Sequence, residues 1–493
     1  MKVPLPYPIV FTVFISCSPV PTRSAVDPRA NIPGNDGFGG GSGGGNFFEP
    51  DTSPGSSCWT STREQRLDSL YRDQTPTAPV AKLSSPYKPL DLDYTAEQIE
   101  KWVDDYKKNV SADEQTFTRY VYIPKGLVKN KNSSNAARVA LFKALNSTAF
   151  YGDDIVTGKD ASDGYGLVFA VDTRSFWGQA NSADGPSIWN CIARPLSESG
   201  QQLLSEGVIS VDAMSVRNFD ADRPVSAAQL VYNLLHPNIY NEVIDTPSNQ
   251  SGLLRMLGIS NVDYDSVLAW TAQKQAIVNG PRVSKMIRTQ DGRNYWATQD
   301  YFSNYEGEAI PYAVGNLIPQ IGSNDGWIDL PSIRNDREIG GSEFRASEAW
   351  VELKNGLISY YIWGNAHQER GRAEKSFVSD PQNQQNGYLV TGRSCITCHV
   401  SGVQRAPSEM NRLIRNNEIA DEYMDAAKNF WTSDDVIDRY YDENADRFSA
   451  AMKKIVDAVS DADTSLNDDW VNGAGEEPIK FIIDYVEEGF LDD

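Results

Sequence analysis

The residues with the clearest capacity for chemistry lie in one pentapeptide, Cys395-Ile396-Thr397-Cys398-His399. The chain has only 5 Cys and 3 His among 493 residues, so this spacing is rare by chance. It is the pattern of c-type haem attachment. Two thiols three positions apart can each form a thioether with one vinyl group of haem, and the adjacent imidazole can bind the iron. The sequence therefore predicts one covalent haem c held by Cys395, Cys398 and His399.

Two other uses of these residues are less favoured. A redox-active dithiol is expected at a strand-to-helix junction of a βαβ unit, whereas the segment from Gly392 to Gly402 is typical of a loop. A structural zinc ion needs four ligands, and the chain contains no second Cys-x-x-Cys pair. Haem attachment is the interpretation that the spacing favours.

The second axial ligand of the iron decides what a haem at this motif could do. The candidates are the remaining imidazoles and the methionines that follow the motif: His236, His367, Met410, Met424 and Met452. A Met ligand would raise the reduction potential, a second His would lower it, and an open position would admit small ligands. Met452 lies on an apolar helical stripe, which favours a place in the core. The sequence does not decide between these five candidate axial ligands and an open iron position.

The composition is that of a globular protein with an acidic surface. The chain has 45 Lys+Arg against 67 Asp+Glu, a net charge of −22, and 40% of its residues are apolar. Residues 409–493 contain 23 acidic and 8 basic side chains. This excess is either a solvated helical surface or a docking surface for a basic redox partner. Nucleic-acid binding is excluded because phosphate contacts require a basic face.

Residues 1–17 predict a signal peptide. Lys2 precedes a short apolar stretch over residues 9–15, which is too short to span a bilayer. The segment Phe14-Ile15-Ser16-Cys17 resembles a bacterial lipoprotein box, in which Cys17 carries the lipid. Plain cleavage, for instance near Ala25, is the alternative. Both predict export to the periplasm or cell envelope, and lipid on Cys17 would anchor the chain to the outer membrane.

The chain after this signal divides into three predicted regions. Residues 18–86 are rich in Pro, Ser and Gly, which predicts a flexible tether. Residues 87–340 form an α+β body, and residues 341–493 contain a hairpin, the haem motif and an acidic helical C-terminus.

Cys58 and Cys191 remain as one pair once Cys17 is assigned to lipid and Cys395 and Cys398 to haem. An oxidising compartment would allow a disulfide between them, and two separate thiols are the alternative.

Periodicity and turn chemistry predict an α+β fold of mixed helices and antiparallel hairpins. Helices are expected from Thr95, which has capping-box spacing to Gln98, from Ser134, and over residues 226–235 and 265–277. Pro237 is expected to close the third of these helices. A buried strand is expected over residues 167–171.

Two hairpins and a helical C-terminus complete this prediction. Two-residue turns are expected at Asp291-Gly292, between residues 284–290 and 293–300, and at Asn355-Gly356, between residues 349–354 and 357–363. The region after residue 407 is predicted to be helical. Its apolar stripe consists of Ile437, Tyr441, Phe448, Met452, Ile455 and Val459.

The segments around the motif resemble those of large exported bacterial c-type cytochromes with one haem. The similar stretches are Gly340-Gly341-Ser342-Glu343, residues 350–357, Val378-Ser379-Asp380 and Gly392-Arg393-Ser394-Cys395. Weaker similarity extends the resemblance over about residues 117–456, through residues 119–120, 141–147, 169–174 and 237–240. The resemblance implies haem ligation by Cys395, Cys398 and His399, and it implies neither a distal ligand nor a partner.

Three functional hypotheses follow. The favoured one is electron transfer with a basic redox partner, so an electron carrier is expected rather than a catalyst. The second is a haem enzyme or small-ligand binder with an open iron position, acting on peroxide or a diatomic gas. The third is a cell-surface binding protein in which haem is structural.

Overall fold

The computed structural model describes a little over half of the chain, in segments that exclude the first 87 residues. The described residues are 88, 94–150, 152–177, 188–189, 192–193, 223–244, 246–247, 250–259, 267–273, 282–303, 342–364, 369–370, 389–419, 421–460 and 466–487. The predicted signal peptide, the tether, Cys17, Cys58, Cys191 and His367 lie outside them. The described residues form helices together with one mixed and one antiparallel sheet, which confirms the α+β class.

A small sheet occupies the N-terminal part of the described chain. Its strands are β1 (Thr118–Tyr122), β2 (Lys159–Asp160), β3 (Val168–Asp172) and β4 (Val225–Ser226), in the order β2-β3-β1-β4. β1 runs antiparallel to β3 and parallel to β4. β3 confirms the strand predicted over residues 167–171.

The second sheet has six antiparallel strands in the order β10-β9-β8-β7-β6-β5. They are β5 (Val267–Gln273), β6 (Arg282–Arg288), β7 (Asn294–Ser303), β8 (Ser342–Glu352), β9 (Ile358–Gly364) and β10 (Glu369–Arg370). The predicted division at residue 340 falls between β7 and β8, two paired strands of this one sheet. Trp296 pairs with Trp350, and Trp350 with Tyr360, so these three aromatic side chains form a row on one face.

Helices cover both sheets. The first seven are α1 (Ala96–Lys107), α2 (Ala112–Phe117), α3 (Lys131–Ser147), α4 (Arg174–Trp177), α5 (Ala227–Leu234), α6 (Pro237–Val243) and α7 (Gln250–Met256). The others are α8 (Arg393–Cys398), α9 (Glu409–Arg415), α10 (Asp421–Phe430), α11 (Asp434–Val459), α12 (Leu466–Asn472) and α13 (Pro478–Glu487). None of the helices within the described ranges combines the length and the hydrophobicity that a bilayer span requires.

The two faces of the small sheet are covered by different helices. Successive side chains of β3 point to opposite faces, so neighbouring residues contact different helices. Phe169 faces α3, where its ring meets that of Phe142 edge-on at 5.2 Å between centroids. Ala170 faces the other way and packs with Trp102 of α1. Because α3 is buried between this sheet and the rest of the protein, 14 of its 17 residues are buried.

Most predicted helices are confirmed, with ends set by capping residues. α1 begins after Thr95, whose side chain accepts a hydrogen bond from the Gln98 amide. α3 begins three residues before Ser134 because Asn130 caps it through the Ser133 amide, at 3.0 Å. Pro237 is the first residue of α6, where its missing N–H costs nothing.

The helix predicted over residues 265–277 is wrong. The segment forms β5, which pairs antiparallel with β6 over six registered residue pairs. β5 is the last strand of the sheet and contains Val, Trp and Thr, which fit a pleated surface well. Its helical periodicity is overridden by antiparallel pairing with β6, the next strand along the chain.

Both predicted hairpins are confirmed, but their loops have three residues rather than two. The Thr289 amide donates to the Arg293 carbonyl at 2.8 Å, and the Leu353 amide donates to the Leu357 carbonyl at 2.7 Å. The final loop residues, Gly292 and Gly356, have φ values of 83° and 90°. These are loops in which a tight turn is followed by a glycine in the left-handed region.

The C-terminal region is helical, as predicted. α11 is its longest helix, with 26 residues, and all six members of the predicted stripe are buried. Met452 is completely buried in that stripe and packs in the main core.

Candidate cofactor site

The Cys-x-x-Cys pair lies on a short helix, which corrects the predicted loop. α8 contains both Cys395 and Cys398, and His399 follows its last residue. The chain enters α8 at Gly392, where φ is 81° and an added Cβ would lie 2.7 Å from the Tyr240 ring. The backbone must pass this close to α6 before the helix can begin, and only glycine allows it.

The two thiols occupy one side of α8. Residues three positions apart in a helix are neighbours on its surface, so Cys395 and Cys398 project from successive turns in similar directions. Both side chains are partly exposed, and neither is in a disulfide. Two accessible thiols on one helical face can react with two adjacent groups of a single ligand.

His399 is held in one tautomer. Its amide donates to the Cys395 carbonyl at 2.8 Å, and its Nδ1 lies 3.1 Å from the Gly402 carbonyl oxygen. Because a carbonyl can only accept, Nδ1 carries the proton and Nε2 keeps its lone pair. An imidazole bonded in this way is prepared to bind a metal through Nε2.

Aromatic side chains of the six-stranded sheet cover the His399 ring. The ring centroids of Tyr360 and Trp350 lie 5.2 and 5.9 Å from that of His399. Burial lowers the pKa of His399, which favours the neutral form that ligates metals. The second hairpin thus forms the surface against which the imidazole packs.

The segment after the motif is fixed by α11. Asn444 is fully buried, and its Oδ1 accepts a hydrogen bond from the Val403 amide at 2.7 Å. Gly402 has a φ of 95°, and a Cβ there would approach Asn444 Oδ1 to 2.8 Å. The carbonyl that binds His399 therefore belongs to a glycine pressed against α11.

Charged and polar groups near the motif are consistent with a large ligand that has both apolar and anionic parts. Arg282 and Glu348 form an ion pair at 3.0 Å, and both contribute to the electrostatics at His399. Trp350 Nε1 and Thr391 Oγ1 are buried donors without a hydrogen-bond partner among the described residues. Such donors are usually satisfied by a partner, and haem carboxylates are acceptors of the required kind.

The structure places four of the five predicted axial-ligand candidates. His236 lies close to the motif: the carbonyl of the preceding residue, Leu235, is 3.2 Å from the Cβ position of Gly392. Burial, with a smaller contribution from Arg393, lowers the pKa of His236 to about 3, so it stays neutral. Met410 and Met452 are completely buried and Met424 is nearly so. His367 is outside the described residues.

Four residues of this arrangement were not predicted from the sequence: Trp350, Tyr360, Gly402 and Asn444. Asn444 carried a detectable signal, because it occupies an apolar position between Tyr441 and Phe448 on the α11 stripe. A polar residue at such a position is expected to bond a buried partner. The others depend on tertiary packing that no local pattern indicates.

Comparison of the chain with protein-family models, curated proteins and solved structures produced no match. Within the described segments, no group of three or more His, Cys, Asp or Glu side chains is arranged to hold a metal ion by itself.

Proposed function

We propose that this protein is an exported c-type cytochrome that binds one haem covalently and transfers electrons. The observation that carries the proposal is the joint geometry of the motif. Cys395 and Cys398 lie on one side of a single helix, and His399 directs its proton-bearing Nδ1 to Gly402. This leaves Nε2 as a metal ligand beside two reactive thiols.

Each residue then has a defined role. Cys395 and Cys398 would form the thioether links, and His399 would be the proximal ligand. When bound, haem supplies one-electron exchange at its iron. Trp350 and Tyr360 exclude water from one side of the imidazole and hold its ring in place.

The charge of the molecule supports a basic redox partner. The net charge is −22, and acidic residues are concentrated after residue 408. On α11, Asp438 and Asp442 are partly exposed although both contact Arg405. An acidic surface accelerates encounter with a basic partner, and this effect weakens as salt is added. Export to the periplasm or cell envelope, with an anchor at Cys17 if that residue is lipidated, belongs to the same proposal.

Covalent attachment is tested by expressing the full chain in a host that matures haem c. Wild-type protein should keep haem peroxidase stain on a denaturing gel and show the added haem mass, because thioethers survive denaturation. The double variant Cys395→Ser and Cys398→Ser should lose both signals. The double variant Cys58→Ser and Cys191→Ser is the matched control and should retain them. Mature wild-type protein with no stain and no added mass would overturn the proposal.

The same material distinguishes electron transfer from small-ligand binding. We expect a reduced absorption spectrum that carbon monoxide leaves unchanged, because an electron carrier has two protein ligands to its iron. A spectral shift with carbon monoxide would contradict electron transfer as the main role and support an open iron position.

A further inference from the structure

A buried carboxylate lies at the centre of a hydrogen-bond network behind the motif. Glu352, the last residue of β8, is only 2% exposed. Its Oε2 accepts from the Asn294 amide at 3.1 Å and from Arg447 at 2.6 Å. Its Oε1 accepts from Asn294 Nδ2 at 3.0 Å and from Asn444 Nδ2 at 2.8 Å. Four donors, two from Asn294 on β7 and one each from Asn444 and Arg447 on α11, hold this carboxylate in a fixed position.

Asn444 links that carboxylate to the segment containing Gly402. Its Nδ2 donates to Glu352, which fixes the orientation of the amide, so its Oδ1 faces the Val403 amide at 2.7 Å. The peptide group between Gly402 and Val403 contains both that amide and the Gly402 carbonyl that binds His399 Nδ1. One rigid peptide plane therefore transmits the position of Asn444 to His399.

We infer, on the basis of the proposed function, that Asn444 and Glu352 are positioning residues that tune His399 as an axial ligand. A hydrogen bond from Nδ1 to a well-placed carbonyl raises the basicity of the imidazole. A more basic imidazole stabilises the oxidised, more positive iron. The network thus lowers the reduction potential of the haem that His399 would bind.

The inference is tested with Asn444→Leu and Glu352→Gln in the full chain. Both variants are expected to keep covalent haem and to shift the one-electron reduction equilibrium toward the reduced form. The expected shift is about tenfold, which corresponds to a rise of about 59 mV. Redox titration followed by absorbance measures it. Glu352→Gln preserves the shape of the side chain and gives the answer should Asn444→Leu fail to fold.

Asn146→Leu is the matched control. Asn146 is a buried helical asparagine whose Oδ1 accepts from a loop amide, that of Val156, at 2.9 Å, and the structure shows no bond from it to the motif. This variant should lower the melting temperature and leave the reduction equilibrium within about twofold of wild type.

The outcomes separate this inference from the proposed function. Haem-bearing variants with wild-type potentials would overturn the inference and leave the proposed function intact. A shift in Glu352→Gln together with a wild-type potential in folded, haem-bearing Asn444→Leu would also overturn it, because that result indicates an effect of charge without positioning. Wild-type protein without covalent haem would overturn the proposed function and this inference with it.

Discussion

The two hairpins of the large sheet have the same loop geometry in opposite surroundings. Each ends in a glycine at positive φ, Gly292 in the first and Gly356 in the second. A Cβ added at Gly292 would meet no atom of another described residue within 4 Å, its two chain neighbours aside. A Cβ added at Gly356 would lie 2.9 Å from the Arg447 carbonyl oxygen and 3.1 Å from the Ala451 Cβ, both on α11. The first loop is free at this position, and the second is docked on a helix.

This difference coincides with the location of the candidate site. The docked hairpin carries Trp350, Glu352 and Tyr360, which contact His399 or the network behind it. Docking the loop on α11 fixes the strands relative to the helix that holds Asn444. Turn chemistry alone specifies the loop, whereas tertiary contact makes one of the two loops part of the site.

The largest expected contrast comes from replacing each loop glycine by alanine. Gly292→Ala incurs only the left-handed backbone penalty and should lower the free energy of unfolding by about 1–2 kcal/mol. Gly356→Ala adds overlap with the α11 backbone, which costs about 1–3 kcal/mol more. Denaturant unfolding of both variants at pH 7 measures the difference. Equal losses would show that the second loop moves away from α11 at no cost, and the two loops would then not differ in how firmly they are docked.

A smaller loss of unfolding free energy than that of Gly356→Ala is expected at the preceding loop position, Asn355. Asn355 is buried; its Nδ2 donates to the Asn146 carbonyl at 2.9 Å and its Oδ1 accepts from the Leu357 amide at 3.0 Å. Asn355→Ala should lower the free energy of unfolding by about 1–3 kcal/mol, because buried polar groups lose their partners.

Asn355→Asp serves as the matched variant for this position. It keeps the acceptor for Leu357 but places a buried carboxylate oxygen against the Asn146 carbonyl oxygen, so denaturant unfolding should show a larger loss of unfolding free energy at pH 7 than in Asn355→Ala. An Asn355→Asp variant as stable as wild type would contradict this. It would mean that the loss in Asn355→Ala comes from the local turn alone and that the contact with α3 contributes nothing.

The sequence was sufficient for features that depend on nearby residues. The cap of α1, the glycines of both loops and the cysteine-histidine motif follow from spacing over a few positions. The predictions were wrong where strand pairing or tertiary contact competes with local preference. β5 has a helical pattern but completes a sheet edge, and α8 forms where the Gly392 approach to Tyr240 allows a helix to start. Glu352 and Asn444 are 92 positions apart, so their bond was not predictable from periodicity.

The smallest expected effect is a pH dependence of the unfolding free energy. It should distinguish the first loop, which contains the carboxyl group of Asp291, from the second, which has the neutral Asn355 at the equivalent position. Burial raises the pKa of Asp291, but hydrogen bonds from Arg293 and Thr289 outweigh it and hold this pKa below its ordinary value of 3.8. A carboxyl whose pKa is lower in the folded protein stabilises it above the unfolded pKa, and that contribution is lost as pH falls through the folded pKa. Asn355 has no such titration.

The expected result is a pH-dependent difference at one loop only. The loss of unfolding free energy in Asp291→Asn should be constant from pH 7 down to about pH 5 and should shrink below about pH 4. The loss in Asn355→Ala should stay constant over the same range. Urea unfolding of wild type and both variants at pH 7, 5 and 3.5 gives these differences, and subtraction from wild type cancels the other carboxyl groups. A loss in Asp291→Asn that does not shrink at pH 3.5 would mean that Asp291 acts through its shape rather than its charge, and the two loops would then differ in docking alone.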